Sequence, residues 1–549
     1  MLSSVRHLTA LLLLAVLTGC GGGGMSSSAD PSSSGAASSG GAALGNTDVV
    51  TYHNDTMRTG QNLTESTLTP SNVTSARFGL LHLLAADGLV DAAPLVVSKL
   101  TIGGAVRNVV YVATENDTVY AYDVDSGSVL KQVSLLAAGE SPSDSRSCGQ
   151  VVPQIGITAT PVIDRSAGSN GTIYVIAMSM DSSGNHFQRL HALDLTTLAD
   201  RIAPVTIQAS YPGTAYGAAG QVAFAPEQYK ERGALLLAQG QIFTVWASHC
   251  DMGNYEGWII AYNAATLAQT AVLNLTPNGG QGGIWDVSGL AQDSSGAFYT
   301  LLGNGAFDTT LTAGGMPVNQ DYGNAAVRIS LTGSTFAVTD YFTSWDTSSQ
   351  SAADIDLGSG SPLLLADQID STGTTRHLML AAGKDTNLYL LDRDNMGKYN
   401  GNVASSNAIY QALPAAAGGA VFSAPVYFNG SVYFAPVGGA LRQYAISAAR
   451  LPASPSSQSA AVFAYPGASP SISANGSGDA IVWAVESGSG AAVLHAYNPA
   501  NLAVEYYNSN QAAASRDAFG NGNKYITPVV ANGKVFVGTP SGVAVFGLL

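Results

Sequence analysis

The sequence predicts an all-β protein built as a single eight-bladed propeller. Three observations carry this. A unit of short apolar strands recurs from about residue 85 to the end. Charged residues make up only 11% of the chain, against a usual ~25%. Gly is abundant, at 62 of 549 residues, as a turn-rich chain requires. Together they argue against a coiled coil, a helical bundle and an acidic disordered chain.

Each unit has the same parts: an apolar strand carrying Pro near its start, a second strand of the form V-Y-V, a polar turn, and a third strand ending A-Y-D or A-L-D. The clearest copy has Ala93-Pro-Leu-Val-Val, then Val110-Tyr-Val-Ala-Thr-Glu-Asn-Asp-Thr-Val-Tyr-Ala-Tyr-Asp-Val-Asp-Ser-Gly127. Later copies centre on Ile173, Ile242, Phe298, Leu378, Val432, Ile481 and Val535. The mean spacing is ~61 residues, room for three or four short strands per unit. The strands are apolar on both faces, as expected of blades packed against neighbours on both sides. Pro is confined to one strand per unit, where a lost N–H is tolerated. Seven blades is the alternative count. The last unit ends after its third strand. Its fourth is expected from upstream, near Phe78-Gly-Leu-Leu-His-Leu-Leu84, which would close the ring and remove its edges.

The body is expected over residues 47–549, and what precedes it reads as an address. Arg6 and His7 are followed by about ten apolar residues, Leu8 to Leu17. That run is too short to span a ~30 Å hydrocarbon core and fits a signal-peptide core over 1–19. Leu17-Thr18-Gly19-Cys20 resembles the lipobox of bacterial lipoproteins, which implies lipidation of Cys20 and anchoring in the cell envelope. Gly21, rather than Asp, after the Cys implies the outer membrane. Residues 20–46 follow as a lipidated Cys and a Gly/Ser-rich tether, with an r.m.s. span of about 25–30 Å. No other apolar run reaches the length of a membrane helix.

Two further Cys remain, Cys148 and Cys250. An even pair in an oxidising compartment favours a disulfide, with two free thiols as the alternative. Closing so long a loop would stabilise by ~4–5 kcal/mol in the chain-entropy model. The net charge is −15, and no run of Lys or Arg occurs. That excludes the basic footprint of a nucleic-acid-binding protein.

The repeat resembles the PQQ-binding-like, or quinoprotein alcohol dehydrogenase-like, propeller superfamily, whose units read VYVGTxxGxVYALDxxTGxxLW. Val110 to Gly127 matches closely and the other copies more loosely. Tyr52-His-Asn-Asp-Thr-Met-Arg-Thr-Gly-Gln-Asn62, Ile155-Gly-Ile-Thr-Ala-Thr-Pro-Val-Ile163 and Leu391-Asp-Arg-Asp-Asn-Met-Gly397 look like a bacterial branch of secreted PQQ-like repeat proteins. The resemblance implies PQQ with Ca²⁺, oxygen ligands for the metal, and a carboxylate base. The departures are specific. The blade-docking Trp at the end of each repeat is replaced, as at Val129-Leu130, Ala268-Gln269 and Val504-Glu505. There is no adjacent Cys-Cys pair and no C-x-x-C-H haem motif.

Candidate site residues fall in three clusters. His53 and Asp55, with Asn54 and Arg58, offer imidazole, carboxylate, amide and guanidinium within six residues; the competing reading is a loop that hydrogen-bonds across the propeller face. His249 and Asp251 flank Cys250 and could act as acid, base or metal ligand; the competing reading is a disulfide-pinned loop. Gly303-Asn304-Gly305 and Gly383-Lys384-Asp385 follow second strands, where loops line a propeller face. Lys384 could bind a PQQ carboxylate, with Asp385 beside it; the competing reading is a pair of tight turns. No metal site is assigned from the residues, and no G-x-S-x-G motif is present. The leading expectation is an envelope binding or scaffold module for a protein or glycan. A PQQ- and Ca-dependent dehydrogenase of alcohols or sugars is the alternative.

Overall fold

The computed structural model describes residues 47–150, 152–401, 409–488 and 490–549. The expected signal segment, the tether through residue 46 and Cys20 lie outside the described residues. Eight sheets form eight blades, numbered here in chain order. Blade 1 is Leu95–Ile102, Ala105–Ala113, Thr118–Asp123 and Val129–Ser134, each antiparallel to the next. The innermost strands of blades 2 to 8 are Val162–Asp164, Leu236–Ala238, Ala291–Gln292, Leu363–Leu364, Val426–Phe428, Ser471–Asn475 and Val529–Ala531.

Burial follows position in the blade. Thr118–Asp123 is buried along its whole length, because adjacent blades cover both its faces. The outermost strand Val129–Ser134 is largely exposed at the rim. Valine, isoleucine and tyrosine fill the middle strands, where stiff branched and aromatic side chains pack well on a pleated surface.

The missing repeat Trp has a structural counterpart in the V-Y-V tyrosine. Tyr111 Oη donates to Leu195 O at 2.6 Å, Tyr174 Oη to Ala264 O at 2.8 Å, and Tyr433 Oη to Pro499 O at 3.0 Å. Each acceptor lies just after the third strand of the following blade. The tyrosine thus docks one blade on the next and satisfies a turn carbonyl there.

The ring closes as the sequence predicts. Phe78–Ala85 pairs antiparallel with Gly542–Leu548, Phe78 opposite Leu548 and Ala85 opposite Gly542. The eighth blade is therefore built from both ends of the body.

The segment 49–62 then runs round the axis and reaches every inner strand. Val49 pairs with Val96 of blade 1, and Val50 O accepts Ile163 N of blade 2. Thr56 O, Met57 O and Thr59 O accept Gln292 N, Leu364 N and Tyr427 N of blades 4, 5 and 6. Gln61–Asn62 lies parallel to Ile472 and Ser473 of blade 7, and Asn62 Nδ2 donates to Val530 O of blade 8. Blade 3 is reached by Arg58, whose guanidinium donates to Leu235 O. An inner strand otherwise presents an unpaired edge to the axis. This segment covers those edges.

Candidate functional site

In an antiparallel blade the start of the inner strand and the end of the second strand lie at the same end. The loops at those two places converge from all eight blades on a cavity of about 470 Å³. Asp91, Arg232, Trp285, Asp356, Phe422, Tyr465 and Tyr525 precede inner strands; Glu115, Cys250, Asp251 and Lys384 follow second strands. Contributions from every blade put the cavity on the ring axis.

Cys148 and Cys250 form the expected disulfide, with Cα atoms 5.6 Å apart and a separation of 102 positions in the sequence. It lies in the cavity wall and ties a blade 2 loop to a blade 3 loop. Asp251 accepts from Tyr255 Oη at 2.6 Å and lines the cavity too. His249 does not line it. Neither of its ring nitrogens has a partner among the described residues, and burial lowers its pKa to about 4.

Lys384 is the predicted residue most fully engaged in the site. Its Nζ sits 2.7 Å from Asp354 Oδ1 and 2.7 Å from Asp356 Oδ2. Asn304 joins the same pair, its backbone N donating to Asp356 at 2.7 Å and its Nδ2 to Asp354 at 2.7 Å. Burial works against the Lys384 charge, but the pull of Asp356 and the bonds to both carboxylates raise its pKa. Burial raises that of Asp356, opposed by Lys384. The two Gly-flanked loops singled out in the sequence are thus joined through two aspartates that were not.

Glu115 faces the cavity from blade 1. Its Oε2 accepts Gly156 N at 2.6 Å and its Oε1 accepts Thr158 Oγ1 at 2.7 Å. Burial pushes its carboxyl up to about 8, with Lys230 opposing and Asp91 adding to the shift.

Other predicted residues go elsewhere. Asp385 accepts from Tyr389 Oη at 2.5 Å and from Asn387, closing a turn away from the cavity lining. His53, Asp55 and Arg58 belong to the axial segment. His53 stacks on Tyr52, and burial lowers its pKa to about 3. Asp55 accepts Thr59 N and Thr59 Oγ1. Arg58 donates to Leu290 O, Leu235 O, Tyr52 O and Thr51 Oγ1. These contacts run across the propeller axis.

Glu115, Lys230, Arg232, Trp285, Asp354 and Asp356 form much of the site, and motif reading missed them. The signal that finds them is their register in the repeat, just before an inner strand or just after a second one.

No family model and no curated protein matches the chain. Solved structures do. A quinohemoprotein alcohol dehydrogenase from Comamonas testosteroni matches with a TM-score of 0.59 and 16% identity, over 91% of this chain and 80% of that one. One from Pseudomonas putida HK5 matches with a TM-score of 0.58 and 15% identity, over 91% and 80%. A europium-containing methanol dehydrogenase matches with a TM-score of 0.60 and 12% identity, over 91% and 98%. Identity at this level speaks to architecture alone. The strand order, the eight blades and these likenesses agree: the chain has the propeller fold of the quinoprotein alcohol dehydrogenases.

Proposed function

We propose that the protein acts through its axial cavity, as an envelope oxidoreductase of quinoprotein type that takes PQQ as its redox group. The observation that carries this reading is the cavity. It has small-molecule size, about 470 Å³, and draws on every blade of a fold shared with quinohemoprotein alcohol dehydrogenases. A protein or glycan partner would not require such a space.

PQQ is a flat ortho-quinone bearing three carboxylates, and the lining suits it. Trp285, Phe422, Tyr465 and Tyr525 offer ring faces, and Lys230, Arg232 and Lys524 offer cations. When bound, the quinone would accept two electrons from an alcohol or sugar. The residues of this chain would hold and orient it. Glu115, with its pKa near 8, is suited to hold or release a proton beside the ligand.

A calcium ion fits less well. The Lys384 ammonium already bridges Asp354 and Asp356, taking one oxygen of each and placing a positive charge where a metal would sit between them. Among the described residues, no three His, Cys, Asp or Glu converge as a ligand set. We therefore expect PQQ to bind without a requirement for Ca²⁺.

A second reading keeps the propeller as a binding module for an envelope protein or glycan. Two exposed apolar side chains favour it. Val152 is 54% exposed and Met252 40%, each within four residues of a disulfide cysteine. Calorimetric titration of the 47–549 body with PQQ, with and without Ca²⁺, separates the readings. One-to-one micromolar binding in both conditions supports the oxidoreductase. No heat in either leaves the binding module.

A further inference from the structure

The hydrogen-bonding capacity of the cavity is unevenly used. Its carboxylates are engaged: Asp354 and Asp356 by Lys384 and Asn304, Glu115 by Gly156 and Thr158, and Asp91 by Asn523 Nδ2 at 2.6 Å. Two cations in the same lining make no hydrogen bond among the described residues. Lys230 and Arg232 stand two apart at the end of an extended run, Tyr229–Glu231, so their side chains share one face. That face is the cavity wall. Lys230 is buried, with only 3% of its surface exposed, and its Nζ makes no hydrogen bond or ion pair among the described residues; burial lowers its pKa, and the charges of Glu115 and Asp91 pull the other way without bonding it. The guanidinium of Arg232 lies over the Tyr525 ring, 4.0 Å from its centroid, with no hydrogen-bond partner among the described residues.

A buried ammonium without an acceptor is costly, and a stacked guanidinium keeps its in-plane N–H groups open for oxygen ligands. We infer that Lys230 and Arg232 form an anion subsite, which takes the carboxylate or phosphate group of a ring-bearing ligand. Lys230 supplies a point charge and Arg232 a planar pair of donors. Tyr525 fixes the guanidinium and presents its own ring to the same space. The Lys384 cluster sets one ammonium against two carboxylates, so it does not compete for an anionic group. The inference deepens the proposed function, because it places an anionic ligand in the same cavity.

The test uses the 47–549 protein and three probes: benzene-1,3,5-tricarboxylate, inorganic phosphate and PQQ. Calorimetry should show one tricarboxylate per chain, weakening as salt rises. Lys230→Met and Arg232→Gln should each weaken it tenfold or more. Arg232 is half-buried, so Arg232→Gln reports even where Lys230→Met disturbs folding, and far-UV circular dichroism checks both. Phosphate binding as tightly as the tricarboxylate would identify a phosphate-bearing ligand; tricarboxylate binding alone would identify a carboxylate-bearing one. Either result supports the subsite. Absence of binding by both anions overturns it, as does binding that neither substitution alters. Tricarboxylate binding without PQQ binding removes the quinoprotein reading and leaves the subsite. PQQ binding untouched by both substitutions does the reverse.

Discussion

Arg58 has 1% of its surface exposed, and its guanidinium donates to carbonyls from two different blades, Leu235 O and Leu290 O. Burial lowers its pKa to about 10, and Asp286 and Asp55 work to keep the charge. Arg58→Met nearly preserves volume and removes four hydrogen bonds. The stranded buried acceptors should cost about 3 kcal/mol or more, read as a lower urea midpoint at unchanged slope. His495 tests a charge of another kind. Its Nδ1 meets Glu505 at 2.5 Å and its Nε2 meets Glu486 at 2.8 Å, with Tyr497 Oη on Nδ1 and the Phe463 ring beside it. Burial disfavours the imidazolium, but the two glutamates outweigh it and raise the pKa. A group whose pKa is higher folded than unfolded stabilises the fold while protonated. That contribution is complete below about 6.5 and is lost as pH climbs through the folded value. Denaturation at stepped pH should show this loss in the parent and a flatter profile in His495→Gln. At this scale the sequence was only partly legible. Lys384 could be picked out because a Gly-flanked cation after a strand is unusual. Lys230 could not, since a lone Lys between Tyr and Glu looks like any solvated one. Its burial depends on a wall supplied by other blades.

At the scale of elements, the repeat was legible because its strands carry a two-sided apolar signal between Gly- and Asp-rich turns. The closing strand 78–84 was legible too, because the last unit lacked a partner. Phe78 shows why it matters: its ring packs against Trp483 at 5.5 Å, Tyr507 at 4.9 Å and Phe546 at 6.2 Å. Phe78→Ala should cost about 3–5 kcal/mol, measured by chemical denaturation, because it empties the seam between blades 7 and 8. Tyr111→Phe should cost only about 1 kcal/mol, since it removes one interblade hydrogen bond and keeps the packing. A Tyr111→Phe penalty equal to that of Phe78→Ala would mean that docking by the V-Y-V hydroxyl outweighs the apolar seam. The axial segment 49–62 escaped periodicity, because it forms almost no strand of its own. Its bonds go to eight partners in turn, each with its own spacing. The long gap between the fourth and fifth units has a similar cause. It holds the irregular stretch 302–324 and the short helix Thr347–Ala352, neither of which repeats elsewhere.

At the scale of the whole molecule, the two ends of the body meet in blade 8, and the Cys148–Cys250 bridge adds a second long-range tie. The bridge joins positions 102 apart in the sequence, and the loop it closes includes all of the inner strands of blades 2 and 3. It joins two loops at the cavity and no pair of adjacent strands. Its loss should therefore leave each blade's hydrogen bonding intact and act mainly by enlarging the unfolded ensemble. The chain-entropy model gives ~4–5 kcal/mol for a loop of this length. The Cys148→Ser/Cys250→Ser double variant should lose stability of that order while keeping the circular dichroism of the parent. Dithiothreitol should destabilise the parent and leave the double variant unchanged. A much smaller loss would mean that contacts between blades 2 and 3 persist in the unfolded chain. A loss of β-sheet signal would mean that the bridge organises blade 3 itself. In that case the wall carrying Lys230 and Arg232 should lose its anion affinity along with the disulfide, and the calorimetric titration of the double variant decides between the two.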